Sequence, residues 1–217
     1  MSVVTMEVFL VVFGALLSIM NPLGTVPVFV GLTQEHSSSE RSLIARNTAL
    51  SVLPILLLSF FGGQYMLAFF GISISSLKVA GGLIIASSGF ALLTGKFAEH
   101  KGMKRSRVQR DVETRDEISL TPLAIPMIAG PGTISLLISF NEEYRGITDT
   151  MLVLAAILLA SAVIFLVLRS SHYIVKRLGA SGINALSRVI GFIVISIGVE
   201  FIISALTDVL GKAFSIA

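Results

Sequence analysis

The chain has 217 residues, 54% hydrophobic and only 13% charged, with a mean hydropathy of +0.90. A soluble domain carries roughly 25% charged residues, so an ordinary water-soluble globule is excluded. There is no cysteine, which removes disulfides, thiolate metal sites and thiol nucleophiles. The net charge of +3 comes largely from one polar stretch: seven of the 16 lysines and arginines lie between Lys96 and Arg115, among five acids from Glu99 to Glu117. That is a solvated loop rather than a nucleic-acid face, which needs excess positive charge with interleaved aromatics.

In chain order, uncharged runs occupy residues 8–34, 47–77, 79–95, 118–141 and 150–168, and residues 189–207 form a sixth interrupted only by Glu200. About 20 apolar residues cross a bilayer's hydrocarbon core, so the pattern predicts six membrane spans. The first run is not a cleavable signal peptide, since nothing basic precedes it and it continues past a short apolar core. His36, His100 and His172 all fall in the polar gaps between runs, which weakens any metal site, and no cofactor is called for.

Cytoplasmic loops are enriched in lysine and arginine. Six spans place 13 of these residues on one side and three, Lys78, Arg145 and Lys212, on the other. Both termini are then expected outside the cytoplasm. Runs one and four could instead be re-entrant hairpins, which gives a poorer division of 11 against five. Lys78 and Arg188 read as topology anchors snorkelling to the interface.

Shifted by 109 residues, the sequence aligns Gly82 with Gly191, Ser87 with Ser196 and Gly89 with Gly198; shifted by 108, Gly24-Thr25 falls on Gly132-Thr133. This predicts a duplicated three-span unit: residues 1–95 as the first repeat, 96–117 as a charged cytoplasmic loop and 118–217 as the second repeat. An odd number of spans per unit inverts the second copy in the membrane. The fold class is therefore all-α integral membrane, six transmembrane helices as two inverted three-helix repeats with broken helices 1 and 4. Secondary transporters use this architecture, with substrate sites where the repeats meet and helices break.

Both expected breaks are visible. The first run contains Asn21, Pro22, Gly24, Thr25 and Pro27, and the fourth contains Pro126, Gly130, Pro131, Gly132, Thr133 and Ser135. Proline lacks the backbone donor and clashes with the preceding turn, and glycine is permissive, so one helix should end and another start at each cluster. Non-helical backbone at membrane depth is tolerated only inside protein or beside a wet cavity. A half-helix N-terminus there offers N–H groups and partial positive charge to a carboxylate. Asn21, Thr25, Thr133 and Ser135 add short polar groups. The substrate-binding set expected from sequence is thus Asn21, Pro22, Gly24, Thr25, Gly130, Pro131, Gly132, Thr133 and Ser135.

Glu200 lies 12 residues after Arg188, about 18 Å along a helix. An intramembrane carboxylate marks a proton-coupling candidate or a residue bonded near the outer boundary. Gly82, Ala86, Gly89, Gly191 and Gly198 are small enough to permit close helix approach. The spans hold no aspartate pair, no histidine to serve a serine nucleophile and no phosphate-binding glycine loop, so the chain is not expected to be an enzyme.

The segments Asn21-Pro22-Leu23-Gly24 through Pro27-Val28-Phe29, Phe70-Gly71-Ile72-Ser73 with Ala80-Gly81-Gly82, Pro122-Leu123-Ala124-Ile125-Pro126 through Ala129-Gly130-Pro131-Gly132, and Gly182-Ile183-Asn184 followed by Arg188 and Gly191 resemble the MarC family of bacterial and archaeal inner-membrane proteins. The resemblance implies a six-span inner-membrane protein that transports glycine, alanine and similar neutral amino acids, driven by a proton or ion gradient. The expected partners are a small zwitterionic solute, membrane lipid and a coupling proton or cation, with a homo-oligomer left open and no nucleic acid. An exporter or channel for another small solute, or a non-transporting membrane scaffold acting through residues 96–117, stands as the alternative.

Overall fold

The computed structural model describes residues 3–33, 36–95, 124 and 128–214. The charged loop 96–117 lies outside the described residues. The described chain is helical throughout: α1 (Val3–Met20), α2 (Pro22–Leu32), α3 (Ser38–Phe70), α4 (Ile74–Leu93), α5 (Pro131–Glu143), α6 (Ile147–Arg169) and α7 (Ser171–Phe214). Five stretches are long and apolar enough to cross a membrane: 6–26, Ser38–Phe70, Ile74–Leu93, Ile147–Arg169 and 181–211. The fourth apolar run is described only at Ala124 and from Ile128 onward, and α5 with its 13 residues is too short to cross alone.

Local chemistry sets the helix ends. Ser37 and Glu40 form a reciprocal capping box at the start of α3, satisfying two orphan N–H groups. The Arg41 Nε donates to the Thr33 carbonyl at 3.0 Å, tying the end of α2 to the start of α3. α3 closes at Gly71, whose φ of 65° is left-handed, and the Ile72 N–H reaches back to the Leu67 carbonyl at 2.9 Å. Ser73 then caps α4 through the Ser76 N–H. α7 bends at Gly179, where φ is again 65°.

Three packing groups result. α4 lies along α7; α6 packs on α1 and α3; the half-helices fill the space between, α5 against α1, α3 and α4, and α2 against α6 and α7. The α4·α7 contact is set by glycine. A Cβ on Gly82 would lie 2.5 Å from the Gly198 carbonyl oxygen, and one on Gly89 would lie 2.7 Å from that of Gly191. The converse holds: Cβ atoms on Gly191 and Gly198 would meet the Gly89 and Gly82 carbonyls at 2.8 and 2.6 Å. Since Gly82 faces Gly198 while Gly89 faces Gly191, the two helices run antiparallel.

The interior holds Leu16, Met20, Phe29, Phe60, Ile85, Leu136 and Leu137, all fully buried. The outer surface is also apolar, with Leu58, Phe69, Phe192 and Ile147 exposed. In water that would be a liability, but it suits helices surrounded by lipid tails.

Candidate functional site at the two helix breaks

The first proline and glycine cluster breaks the helix, as the sequence predicts; at the second, a helix starts at Pro131 after an extended Gly130, and Pro126 lies outside the described residues. At the first, Pro22 cannot donate, and its ring disfavours αR geometry for the residue before it. Asn21 accordingly takes the left-handed region at φ 43°, ψ 65°, making it the one non-glycine residue with positive φ among the described residues. Asparagine tolerates this region better than most residues. Its N–H still closes α1 on the Leu17 carbonyl at 3.0 Å, and its Oδ1 accepts from the Gly24 N–H at 3.2 Å, capping α2. Proline thus occupies the first position of α2, where its missing N–H costs nothing.

At the second break, Ala129 donates to the Ala124 carbonyl five residues back, a π-type turn. Such turns recur at functional sites in helices. Gly130 is extended, Pro131 opens α5, and no side chain caps that N-terminus. The two threonines act alike: Thr25 Oγ1 donates to the Asn21 carbonyl at 3.2 Å, and Thr133 Oγ1 to the Ile128 carbonyl at 3.1 Å. The Thr25 hydroxyl stays within the first turn of α2, whereas that of Thr133 reaches past Gly130. Ser135 Oγ instead reaches across to the Leu77 carbonyl of α4 at 3.2 Å, so the hydroxyls expected to orient a solute give their hydrogens to backbone and retain only acceptor capacity.

The structure brings the breaks together. A Cβ on Gly132, at the start of α5, would lie 2.9 Å from Ile85 Cγ1 and 3.7 Å from Cγ2 of Ile19, two residues before Asn21. Gly24 is crowded by the Asn21 side chain itself. Asn21, Thr25, Thr133 and Ser135 are all buried, as are Pro22, Gly130 and Gly132, whereas Pro131 is exposed. Within this buried set Asn21 Nδ2 has no hydrogen-bond partner, and the same holds for the buried hydroxyls of Ser139 on α5 and Ser161 on α6. A buried donor left unmet costs about 1–3 kcal/mol, and Asn21 Nδ2 is such a donor.

Glu200 lies elsewhere. It is exposed on α7, two residues beyond Gly198, and so is turned about 200° from the glycine-packed face. Lys78, expected from sequence to be a topology anchor, donates from Nζ to Ser204 Oγ at 3.4 Å and pairs with Asp208 at 3.7 Å, both on α7. The i,i+4 spacing of Ser204 and Asp208 was visible in sequence, but their role depends on the antiparallel α4·α7 contact. At the opposite end of α7, outside the span, burial and then the Arg41 guanidinium hold the His172 imidazole below its ordinary pKa. Among the described residues no cluster of three or more histidine, cysteine, aspartate or glutamate side chains could hold a metal.

Residues 6–210 match the MarC family of integral membrane proteins. The chain is 36% identical over 205 residues to the UPF0056 membrane protein MJ1677 of Methanocaldococcus jannaschii, covering 94% of this chain and 98% of that protein. It is 32% identical over 197 residues to the UPF0056 membrane protein YhcE of Escherichia coli K12, covering 91% of each. It is also 36% identical over 206 residues to the UPF0056 inner membrane protein MarC of Escherichia coli, covering 90% of this chain and 92% of that protein. No solved structure matches the chain. Its apolar helices and these matches over nearly its full length make this multi-pass membrane protein a member of the MarC family.

Proposed function

We propose that this protein is a secondary transporter of small neutral amino acids of the glycine, alanine and serine type, driven by a proton or ion gradient across the inner membrane. The observation that carries the reading is Asn21: a fully buried, left-handed residue at a helix break, with an amide donor that meets no partner. A carboxylate satisfies such a donor. The uncapped N-terminus of α5, brought toward it through Ile19 and Gly132, adds N–H groups and positive dipole. Close packing around Gly132 and Gly24 favours small side chains on the solute.

The reading includes six spans in two inverted repeats, with both termini outside the cytoplasm. The reciprocal glycine contact supports it: Gly82 and its repeat-mate Gly191 each pack on the repeat-mate of the other's partner, as an in-plane two-fold requires. It is also supported by the antiparallel course of α4 and α7, since hairpins at runs one and four would leave those helices parallel. Glu200 is the sequence's candidate for the coupling proton.

The test is uptake of labelled glycine and alanine into proteoliposomes with an imposed pH gradient and competing unlabelled amino acids. Saturable uptake is expected, abolished by Asn21→Leu, Thr25→Val or Gly132→Leu in protein that still inserts. Unchanged uptake in these variants removes the breaks from the mechanism, and no uptake by well-inserted wild type overturns the transport reading.

A further inference from the structure

Buried hydroxyls in these helices commonly bond within their own turn: Thr25, Thr33, Thr48 and Ser59 each donate to the carbonyl four residues earlier, at 2.7–3.2 Å. Ser161 of α6 does not. It is 6% exposed, and its Oγ meets no hydrogen-bond partner. Ile157, Ile164 and Leu168 share its helix face and are fully buried, so the hydroxyl is turned into the protein and away from lipid.

The depth of Ser161 follows from three helices whose ends meet at Tyr144. Burial, then the carboxylates of Glu143, Asp149 and Glu7, hold the Tyr144 phenol above its ordinary pKa, which places these ends of α1, α5 and α6 together. Ile19, Gly132 and Ser161 each lie 12 residues from that end, counted from Glu7, Tyr144 and Asp149, about 18 Å along a helix. α1 and α5 do meet at that depth, where a Cβ on Gly132 would lie 3.7 Å from Ile19 Cγ2. α6 packs on both α1 and α2, so it passes their junction at Asn21 with Ser161 at the same level.

Helix ends of opposite polarity share this level. α5 begins there with uncapped N–H groups and partial positive charge, and α1 ends there with carbonyls and partial negative charge. Pro22 has no N–H to give to the Ser18 carbonyl four residues earlier.

We propose that Ser161 receives the ammonium group of the solute and so selects amino acids over carboxylates that lack one. This rests on the transport reading above, in which Asn21 and the α5 N-terminus take the carboxylate. An ammonium brings three N–H donors and needs acceptors; the Ser161 oxygen offers two lone pairs that no protein group uses. The Thr25 and Thr133 oxygens, whose hydrogens go to backbone carbonyls, add acceptor capacity. Ser139 is equally buried and equally without a partner, but it lies seven residues along α5 from Gly132, about 10 Å away. One α-amino acid cannot bridge that distance.

The test is uptake of labelled alanine by the full chain in proteoliposomes, with propionate, which is alanine without its amino group, as a competitor. Ser161→Ala should raise KM for alanine about tenfold or more, as expected for a lost hydrogen bond to a charged group. Inhibition by propionate should stay as in wild type, and so should the unfolding temperature in detergent, because the lost hydroxyl bonds nothing in the protein. Ser139→Ala should leave KM unchanged. A wild-type KM in Ser161→Ala overturns the proposal, and so does an equal rise in Ser139→Ala or a matching loss of propionate inhibition. If Ser161→Ala fails to insert, Ser161→Cys, which keeps the size but is a poor acceptor, decides by the same readings. A wild-type protein that takes up no alanine overturns the transport reading, and this site with it.

Discussion

At the α4·α7 contact the glycines of the two helices meet one another reciprocally, whereas the starts of α2 and α5 are built differently. Four glycines meet one another's carbonyls within 2.5–2.8 Å of an added Cβ, so each helix presents bare backbone to the other. The two sites share a proline at the first position of the following helix and a threonine whose hydroxyl bonds back to a carbonyl four or five residues earlier. Yet Asn21 caps α2 with its own side chain, while α5 begins uncapped after an extended Gly130 and a π-type turn. Close backbone packing tolerates no side chain and so holds both helices to glycine. A polar site has no such requirement, and its two halves can differ in what they offer a solute.

The largest effect should come from breaking the glycine contact. Gly82→Leu or Gly198→Leu drives a side chain into a backbone carbonyl that cannot swing aside, and should cost about 3 kcal/mol or more. Thermal unfolding in detergent would show it. Gly14→Leu, with nothing within 4 Å of its Cβ, is the control that should hardly move.

Asn21 sharpens the contrast at the breaks. Asn21→Ala loses the cap and forces alanine into the left-handed region, together about 2 kcal/mol. Asn21→Gly keeps the backbone comfortable and should cost only about a few tenths of a kcal/mol. If the amide serves the solute, both variants lose uptake although only the alanine variant loses stability. Full uptake by Asn21→Gly would show that the amide is merely a cap.

Thr25→Val and Thr133→Val each remove one hydroxyl bonded to a buried carbonyl, and each should cost about 1 kcal/mol. Clearly unequal losses of unfolding temperature would mean that the threonines are matched in position but not in role.

The smallest effect belongs to His172. Its folded pKa lies below the ordinary imidazole value of 6.5, so its contribution is fully present above pH 6.5 and is lost as pH falls through the folded value. Wild type should show a shallow fall in unfolding temperature on acidification, flattened in His172→Gln; identical profiles would mean that burial beside Arg41 does not matter.

Much of this was legible in the sequence. Uncharged runs gave the membrane helices, and Asn21-Pro22 and Gly130-Pro131-Gly132 gave the breaks, because hydropathy and the missing proline donor act within a few residues of where they are written. The close approach of α4 and α7 was foreshadowed by the small residues Gly82, Gly89, Gly191 and Gly198. No sequence pattern revealed that Lys78 would pair with Asp208 or that Asn21 Nδ2 would be left without a partner. These features depend on which surfaces become neighbours.

The sequence by itself determined that this is a membrane protein, where its apolar helices lie and where two of them cannot continue. Only the tertiary structure decided that the four glycines face one another, that Ile19 approaches Gly132, that Lys78 meets Asp208, and that Glu200 faces outward. The physical reason is range: burial and backbone breaks are fixed by local chemistry, while partners are chosen by packing between segments as much as 130 residues apart, as for Lys78 and Asp208.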